Sequence, residues 1–276
     1  MLKLNIIRVP EGCPTMNQAL DLAVVFSERN DCTRENPVKI EVGEGEHEMV
    51  GLVLSGYGYH TRVSCSNMTI VGKGKGKTTI LGGFCVHGKQ NVKIEQLVVT
   101  NAAGFGLLCD GIGTNVHVTE CCFKKCDCSG MKVHTGATVT ATRCEFMEND
   151  TDGATCDGAN TKVILNDSTM HHNQRHGLYG YKHAVVNLYG TKTDIHSNKC
   201  RGIYASLDNQ INVHLPSQHN TTHDNGGDNQ YQETGGSIVN SNFVGRIRQR
   251  QLLLACPRCS LKVHKFSLKV HKCTCM

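Results

Sequence analysis

Four residues with acid–base chemistry recur at one position of a repeating pattern. Asp110, His134, Asp157 and Tyr181 each stand four places after a glycine that is followed by an apolar residue. Lys132 and Tyr179 stand two places after the same kind of glycine. Two carboxylates flanking an imidazole can transfer protons or hold a cation, and an ammonium group can pair with an acidic ligand. If the positions fall on neighbouring parallel strands, the side chains lie about 5 Å apart on one sheet face. In that arrangement the two aspartates are expected to raise the His134 pKa toward a charge at neutral pH. The competing reading is simpler: outward residues of a soluble sheet are polar whether or not they do chemistry.

Other motifs carry less. The run VGKGKGKT ends in Gly76-Lys77-Thr78, as a phosphate-binding loop does, but Val71 stands where its first glycine belongs. The following TTIL reads as a strand, whereas a phosphate cradle opens a helix. A basic turn between two strands is the better reading. Cys256 and Cys259, with Cys273 and Cys275, offer four thiolates near His264 and His271. The second pair is Cys-x-Cys rather than the Cys-x2-Cys of a zinc knuckle, so a basic tail is preferred over a zinc ribbon. Cys121 and Cys144, and Cys109 and Cys156 one column over, fit small buried hydrophobes stacked inside the fold. The cluster Cys121, Cys122, Cys126 and Cys128 is the weaker metal alternative.

The elements that position these residues follow from the repeat. Gly-apolar pairs occur at Gly83-Phe84, Gly106-Leu107, Gly130-Met131, Gly153-Ala154, Gly177-Leu178 and Gly202-Ile203, in steps of 23 to 25 residues. Alternation after each glycine predicts a short strand with one buried face. A second column lies seven residues before, at Val99, Phe123, Phe146, Met170 and Ile195. A third lies fourteen before, at Val92, Val116, Val139 and Val163, then Leu188 in place of Val186. Three strands in about 24 residues leave no room for a helix and describe one coil of a parallel β-helix. Asn149, Asn173 and Asn198, four before the glycine, predict an amide ladder in a turn. At the N-terminal flank, residues 14–29 have apolar residues at helical spacing with Thr15 as N-cap, a short helix that caps the open end of the coil stack. After Ala205 the repeat decays into a polar stretch, with a closing strand expected over 238–244.

The order of cap helix, VGEGEHEMV, NMTIVGKGKGKTTILGG and Asn-x3-Gly-apolar coils resembles the right-handed parallel β-helix repeat family of the pectin lyase-like superfamily. The resemblance spans roughly residues 5–245 and implies an all-β solenoid. It also implies a choice of functions: pectate lyases, pectin methylesterases, polygalacturonases, alginate epimerases and non-catalytic carbohydrate-binding repeats share the fold. The chain lacks the Asp-Asp and Gly-His-Gly motifs of polygalacturonase-like enzymes. Asp110 and Asp157 are two coils apart, too wide to chelate one calcium ion as in pectate lyases. Tyr179-Gly180-Tyr181-Lys182-His183 starts like the Tyr-Gly-x-Asp-x-His stretch of alginate epimerases but has Lys for Asp and His one place early. No catalytic role is therefore carried over.

The expectation is a non-catalytic carbohydrate-binding solenoid. A lyase, epimerase or hydrolase acting on an acidic glycan is the alternative, and a protein-interaction scaffold is the third reading. Its ligand face would be Asp110, Lys132, His134, Asp157, Tyr179 and Tyr181, with no metal and no cofactor. Of the 29 Lys and Arg residues, eight lie from Arg246 onward with no Asp or Glu, which leaves 21 basic against 24 acidic groups in residues 1–245. The formal charge of +5 thus belongs to the tail, and neither a nucleic-acid partner nor a membrane is expected. Residues 246–276 are read as a disordered Cys-containing tail. The absence of a signal peptide pattern favours reduced thiols for the 16 cysteines and a cytoplasmic location. Four glycosylation sequons, at Asn67, Asn149, Asn166 and Asn220, would matter only in a secreted chain.

Overall fold

The computed structural model describes residues 5–29, 32–54, 58–214 and 222–240, and the two-residue strands Leu254–Ala255 and Lys262–Val263. Strands stack into three long sheets that run the length of a β-solenoid. The first has ten strands, from Ile6–Val9 and Val38–Val42 to Gln210–His214 and Ser237–Asn240. The second has eight, from Gly45–Glu48 to Thr222–His223. The third has nine, including Phe84–His87, Leu107–Asp110, Met131–His134, Ala154–Asp157, Leu178–Tyr181, Ile203–Ala205 and Gln230–Gln232. Pairing within each stack is parallel, except where Leu52–Leu54 folds back on Gly58–Val63. No helix among the described residues is long and apolar enough to cross a membrane.

The predicted columns are the core. Leu107, Met131, Leu178 and Ile203 are fully buried and pair coil to coil through Ala154. Val99, Phe123, Phe146, Met170 and Ile195 form the matching wall, and the Phe123 and Phe146 rings stack at 5.3 Å. Cys109, Cys121, Cys144 and Cys156 are buried among them. Burial raises their thiols above the ordinary value, so these cysteines act as apolar filler.

The helix Met16–Arg29 lies against the first two strands of the first sheet and buries Met16, Ala19, Leu20 and Ala23. The Gln18 N–H donates to Thr15 Oγ1, the N-cap bond expected at a helix start, and the Thr15 hydroxyl donates to Gln18 Oε1. The Gly72–Lys77 segment is a turn between Met68–Val71 and Thr78–Leu81, so the phosphate-loop reading is excluded.

The amide ladder is present and longer than its sequence trace. Asn149 Nδ2 donates to Asn173 Oδ1 at 2.9 Å, Asn173 to Asn198 at 2.8 Å, and Asn198 to Asn225 at 2.9 Å. Each amide also donates to a carbonyl of the second sheet. This ladder explains the repeat glycine: a Cβ on Gly177 would lie 2.8 Å from Asn198 Nδ2 and 2.3 Å from Ile195 Cγ2.

Two expectations need correction. Val163 pairs with Val186, and Leu188 pairs with Leu165. The longer coil keeps the strand register and puts its extra residues into the turn between Val185–Tyr189 and Asp194–His196. The repeat also does not decay after Ala205. Gln210–His214, Thr222–His223 and Gln230–Gln232 add another rung to all three sheets, because backbone pairing tolerates polar side chains at the end of a stack. The closing strand is Ser237–Asn240. Residues 241–244 of the expected strand and the conformation expected of the tail lie outside the described residues, apart from a short antiparallel pairing of Leu254–Ala255 with Lys262–Val263.

Candidate functional site on the third sheet

The third sheet places the six predicted residues on its outward face. Asp110, His134, Asp157 and Tyr181 are in direct register on four successive strands. Lys132, Thr155 and Tyr179 form the neighbouring outward column. This face is unusually shielded: Lys132 is 7% exposed and His134 8%. Long side chains reaching along the stack cover one another.

Lys132 is the hub. Its ammonium donates to Asp157 Oδ2 and, at 2.8 Å, to the Tyr181 hydroxyl, and lies 4.8 Å from the Tyr181 ring centre. His134 Nδ1 is 3.6 Å from Asp110 Oδ1 and 2.9 Å from Thr135 Oγ1. His87, one coil earlier in the same column, contacts the other oxygen of Asp110 at 2.8 Å. The expected rise of the His134 pKa is reversed. Burial lowers it, and the attraction of Asp110 and Asp157 does not make up the loss of hydration.

The aromatic part is a ladder of four of the chain's seven tyrosines. Tyr181 stacks on Tyr179 at 4.7 Å, and Tyr179 on Tyr204 at 4.7 Å; Tyr231 follows at 5.5 Å, tilted by 53°. Arg201 lies over the Tyr231 ring at 3.8 Å. The rings spend their faces on one another, so they present edges and hydroxyls rather than open stacking faces. Glu233 accepts hydrogen bonds from the Tyr204 and Tyr231 hydroxyls, and burial together with Glu233 pushes the Tyr204 pKa up to about 12.

Along one edge of this face runs a buried polar seam that sequence reasoning missed. Asp152 Oδ1 accepts from the His176 N–H at 3.0 Å, and its other oxygen accepts from the Thr155 hydroxyl at 3.2 Å. Desolvation raises the Asp152 pKa. His176 packs against Tyr179 and Tyr204 at 5.7 and 5.0 Å, and its Nδ1 accepts from the Arg201 N–H. Burial, with Arg175 and Arg201 adding to it, lowers the His176 pKa to about 4. Counting four past Gly83 and two past Gly202 finds His87 and Tyr204 in the sequence. Asp152 and His176 sit in turns, where the alternation gives no signal.

Two open clefts lie away from these residues. One of about 500 Å³ runs past Arg34, Asn91, His117 and Thr138; another of about 510 Å³ lies by Val50, Tyr59 and Asn101. The third-sheet face is therefore a ladder, open along the stack, rather than a pocket. Among the described residues no three or more His, Cys, Asp or Glu side chains are gathered as a ready metal site.

Residues 58–215 match the family described as the right-handed beta helix region. The chain belongs to the right-handed β-helix family. No curated protein matches the sequence. Among solved structures, the catalytic domain of Agl-KA superposes with a TM-score of 0.55 at 15% identity, over 87% of this chain and 47% of that one. A Geobacillus virus E2 protein, ORF18, gives 0.49 at 9% identity over 88% and 62%. The Azotobacter vinelandii mannuronan C-5 epimerase AlgE4 A-module gives 0.30 at 11% identity over 82% and 94%. This β-helix thus spans about half the length of the Agl-KA domain, and at these identities the likeness is one of fold.

Proposed function

We propose that this β-helix binds an extended carbohydrate chain along the outward face of the third sheet, without turning it over. The observation that carries the reading is the near-burial of Lys132 in a hydrogen-bonded group with Asp157 and Tyr181 on an outward face. A shielded lysine costs stability unless it is paired and hydrogen-bonded, and here Asp157 and Tyr181 hold the ammonium in a fixed place on the surface. Two of its three N–H donors go to Asp157 and Tyr181, which leaves one for a sugar hydroxyl or a uronate carboxylate. A ladder of donors and acceptors repeating along the stack matches the repeat of a linear polysaccharide better than it matches a compact ligand. The tyrosine edges and the Arg201 guanidinium extend that surface over the last coils.

The second reading is a lyase or epimerase acting on an acidic glycan. It is favoured by one observation: an ammonium, a carboxylate and a phenol are already in contact, the groups needed to neutralise a uronate and move its α-proton. The test is binding and turnover of uronate and neutral oligosaccharides by the wild type, His134→Ala, Tyr181→Ala and Lys162→Ala. Loss of binding in the first two variants, retention in Lys162→Ala and no turnover fit the binding protein. Turnover that Tyr181→Ala abolishes establishes the enzyme. Equal behaviour of all three variants removes this face from consideration and leaves a protein-interaction scaffold ahead.

A further inference from the structure

The outward face of the second sheet carries a different ladder. His171, His196 and His223 are in register on three successive strands, with parallel rings 5.0 and 5.1 Å apart. Each is followed by a residue in the left-handed region: His172 at φ 55°, Ser197 at 52° and Asp224 at 50°. Alternation along an extended strand would send neighbours to opposite faces. The left-handed residue breaks that alternation, and each of these side chains returns to the Nδ1 of the histidine before it. Ser197 Oγ reaches His196 at 3.0 Å, and Asp224 Oδ2 reaches His223 at 2.8 Å. In the first rung the returning group is another imidazole, with His172 Nδ1 2.8 Å from His171 Nδ1.

The tautomer of His171 follows from its other nitrogen. Nε2 lies 3.0 Å from Glu145 Oε1. A carboxylate only accepts, so Nε2 carries a proton, and in the neutral ring Nδ1 then presents a lone pair to His172. A carboxylate behind one imidazole nitrogen, with the other nitrogen left as a donor pair, is the outer-shell arrangement of metal-ligating histidines. The rungs above differ. His223 has carboxylates at both nitrogens, from Asp224 and Asp194, and its pKa is raised, chiefly by the Asp224 hydrogen bond.

We propose that His171 and His172 form a two-nitrogen chelate for a divalent transition-metal ion, with water or an external ligand filling the remaining positions. Two imidazole nitrogens about 2.05 Å from one ion are about 2.9 Å apart at a right angle and about 3.3 Å apart at a tetrahedral one. The observed 2.8 Å fits the right angle, and that geometry with nitrogen ligands selects Ni²⁺ or Cu²⁺ over tetrahedral Zn²⁺. His171 is partly buried and held by Glu145, whereas His172 is exposed, so the chelate is anchored at one side and open at the other.

The test is calorimetric titration of the full chain with Ni²⁺ at neutral pH. The wild type should bind one more equivalent than His172→Asn, a replacement that keeps the left-handed backbone and whose melting curve checks folding. Glu145→Gln should keep the stoichiometry and bind about tenfold or more weakly. His223→Ala should match the wild type. Equal stoichiometry and affinity in wild type and His172→Asn would overturn the proposal and reduce the contact to an imidazole–imidazole hydrogen bond. A loss in His223→Ala as large as in His172→Asn would overturn it too, as a general histidine effect.

Discussion

The first and third sheets turn different outward faces to the surroundings. On the first, exposure alternates as a half-buried strand should: Thr138–Thr142 and Val185–Tyr189 both run partly exposed, buried, partly exposed, and Lys162 is exposed. On the third, all four residues of Met131–His134 are buried although two of them point outward. The backbone is the same in both sheets, so the difference lies in the side chains. Short rungs such as Thr138, Thr140 and Thr142 stay partly exposed beside their neighbours. Lys132 reaches one coil to Asp157 and two coils to Tyr181, and the tyrosines close over the rest. A solenoid face becomes shielded when its outward side chains are long enough to desolvate one another.

Behind both faces lies one core, which sets the largest effect. Phe146→Ala should cost about 3–5 kcal/mol in denaturant unfolding, since it empties a fully buried stacked position. Acid should then separate the faces. His176, beside the tyrosine ladder, is held neutral when folded, with a pKa of about 4 against about 6.5 unfolded. The unfolded chain therefore binds more protons between these values, and stability falls as pH drops from about 6.5 to about 4, by roughly 3 kcal/mol. Protonation would also break the bond from the Arg201 N–H. Urea midpoints at the two ends of that window should differ less for His176→Gln than for the wild type; an equal difference would assign the acid sensitivity to other groups. Next, Lys132→Ala should cost about 1–3 kcal/mol, because it strands Asp157 in a shielded place. Last, Lys162→Ala on the first sheet should stay within about 0.5 kcal/mol. If the two lysine variants melt alike, the contrast between the faces is one of appearance only.

The strand columns were legible because packing imposes them: a buried residue every coil, and a glycine wherever the amide ladder leaves no room for a Cβ. The same counting placed Asp110, His134, Asp157 and Tyr181 in one register. It failed where no periodic constraint acts. Val186 was displaced by Leu188 because extra turn residues shift a fixed count without shifting the strand. The coil after Ala205 breaks the count because its third-sheet rung is Gln230, Tyr231 and Gln232, although Ile211 and Val213 keep the buried alternation on the first sheet. The His134 pKa was misjudged because sequence shows which charges are near but not how much water they lose. The histidine pair at 171 and 172 looks like two opposite faces until the left-handed turn is known.

The asparagine ladder measures coils rather than residues. From Asn149 to Asn173 the chain travels 24 residues, from Asn173 to Asn198 it travels 25, and from Asn198 to Asn225 it travels 27, yet each step ends in an amide bond of 2.8–2.9 Å. The surplus is expelled into turns such as the one between Tyr189 and Asp194, and the stack beyond it is undisturbed. Such a molecule can lengthen a loop in one coil without renegotiating the next. New surface can therefore be grafted between Tyr189 and Asp194 while the faces of all three sheets keep their alignment.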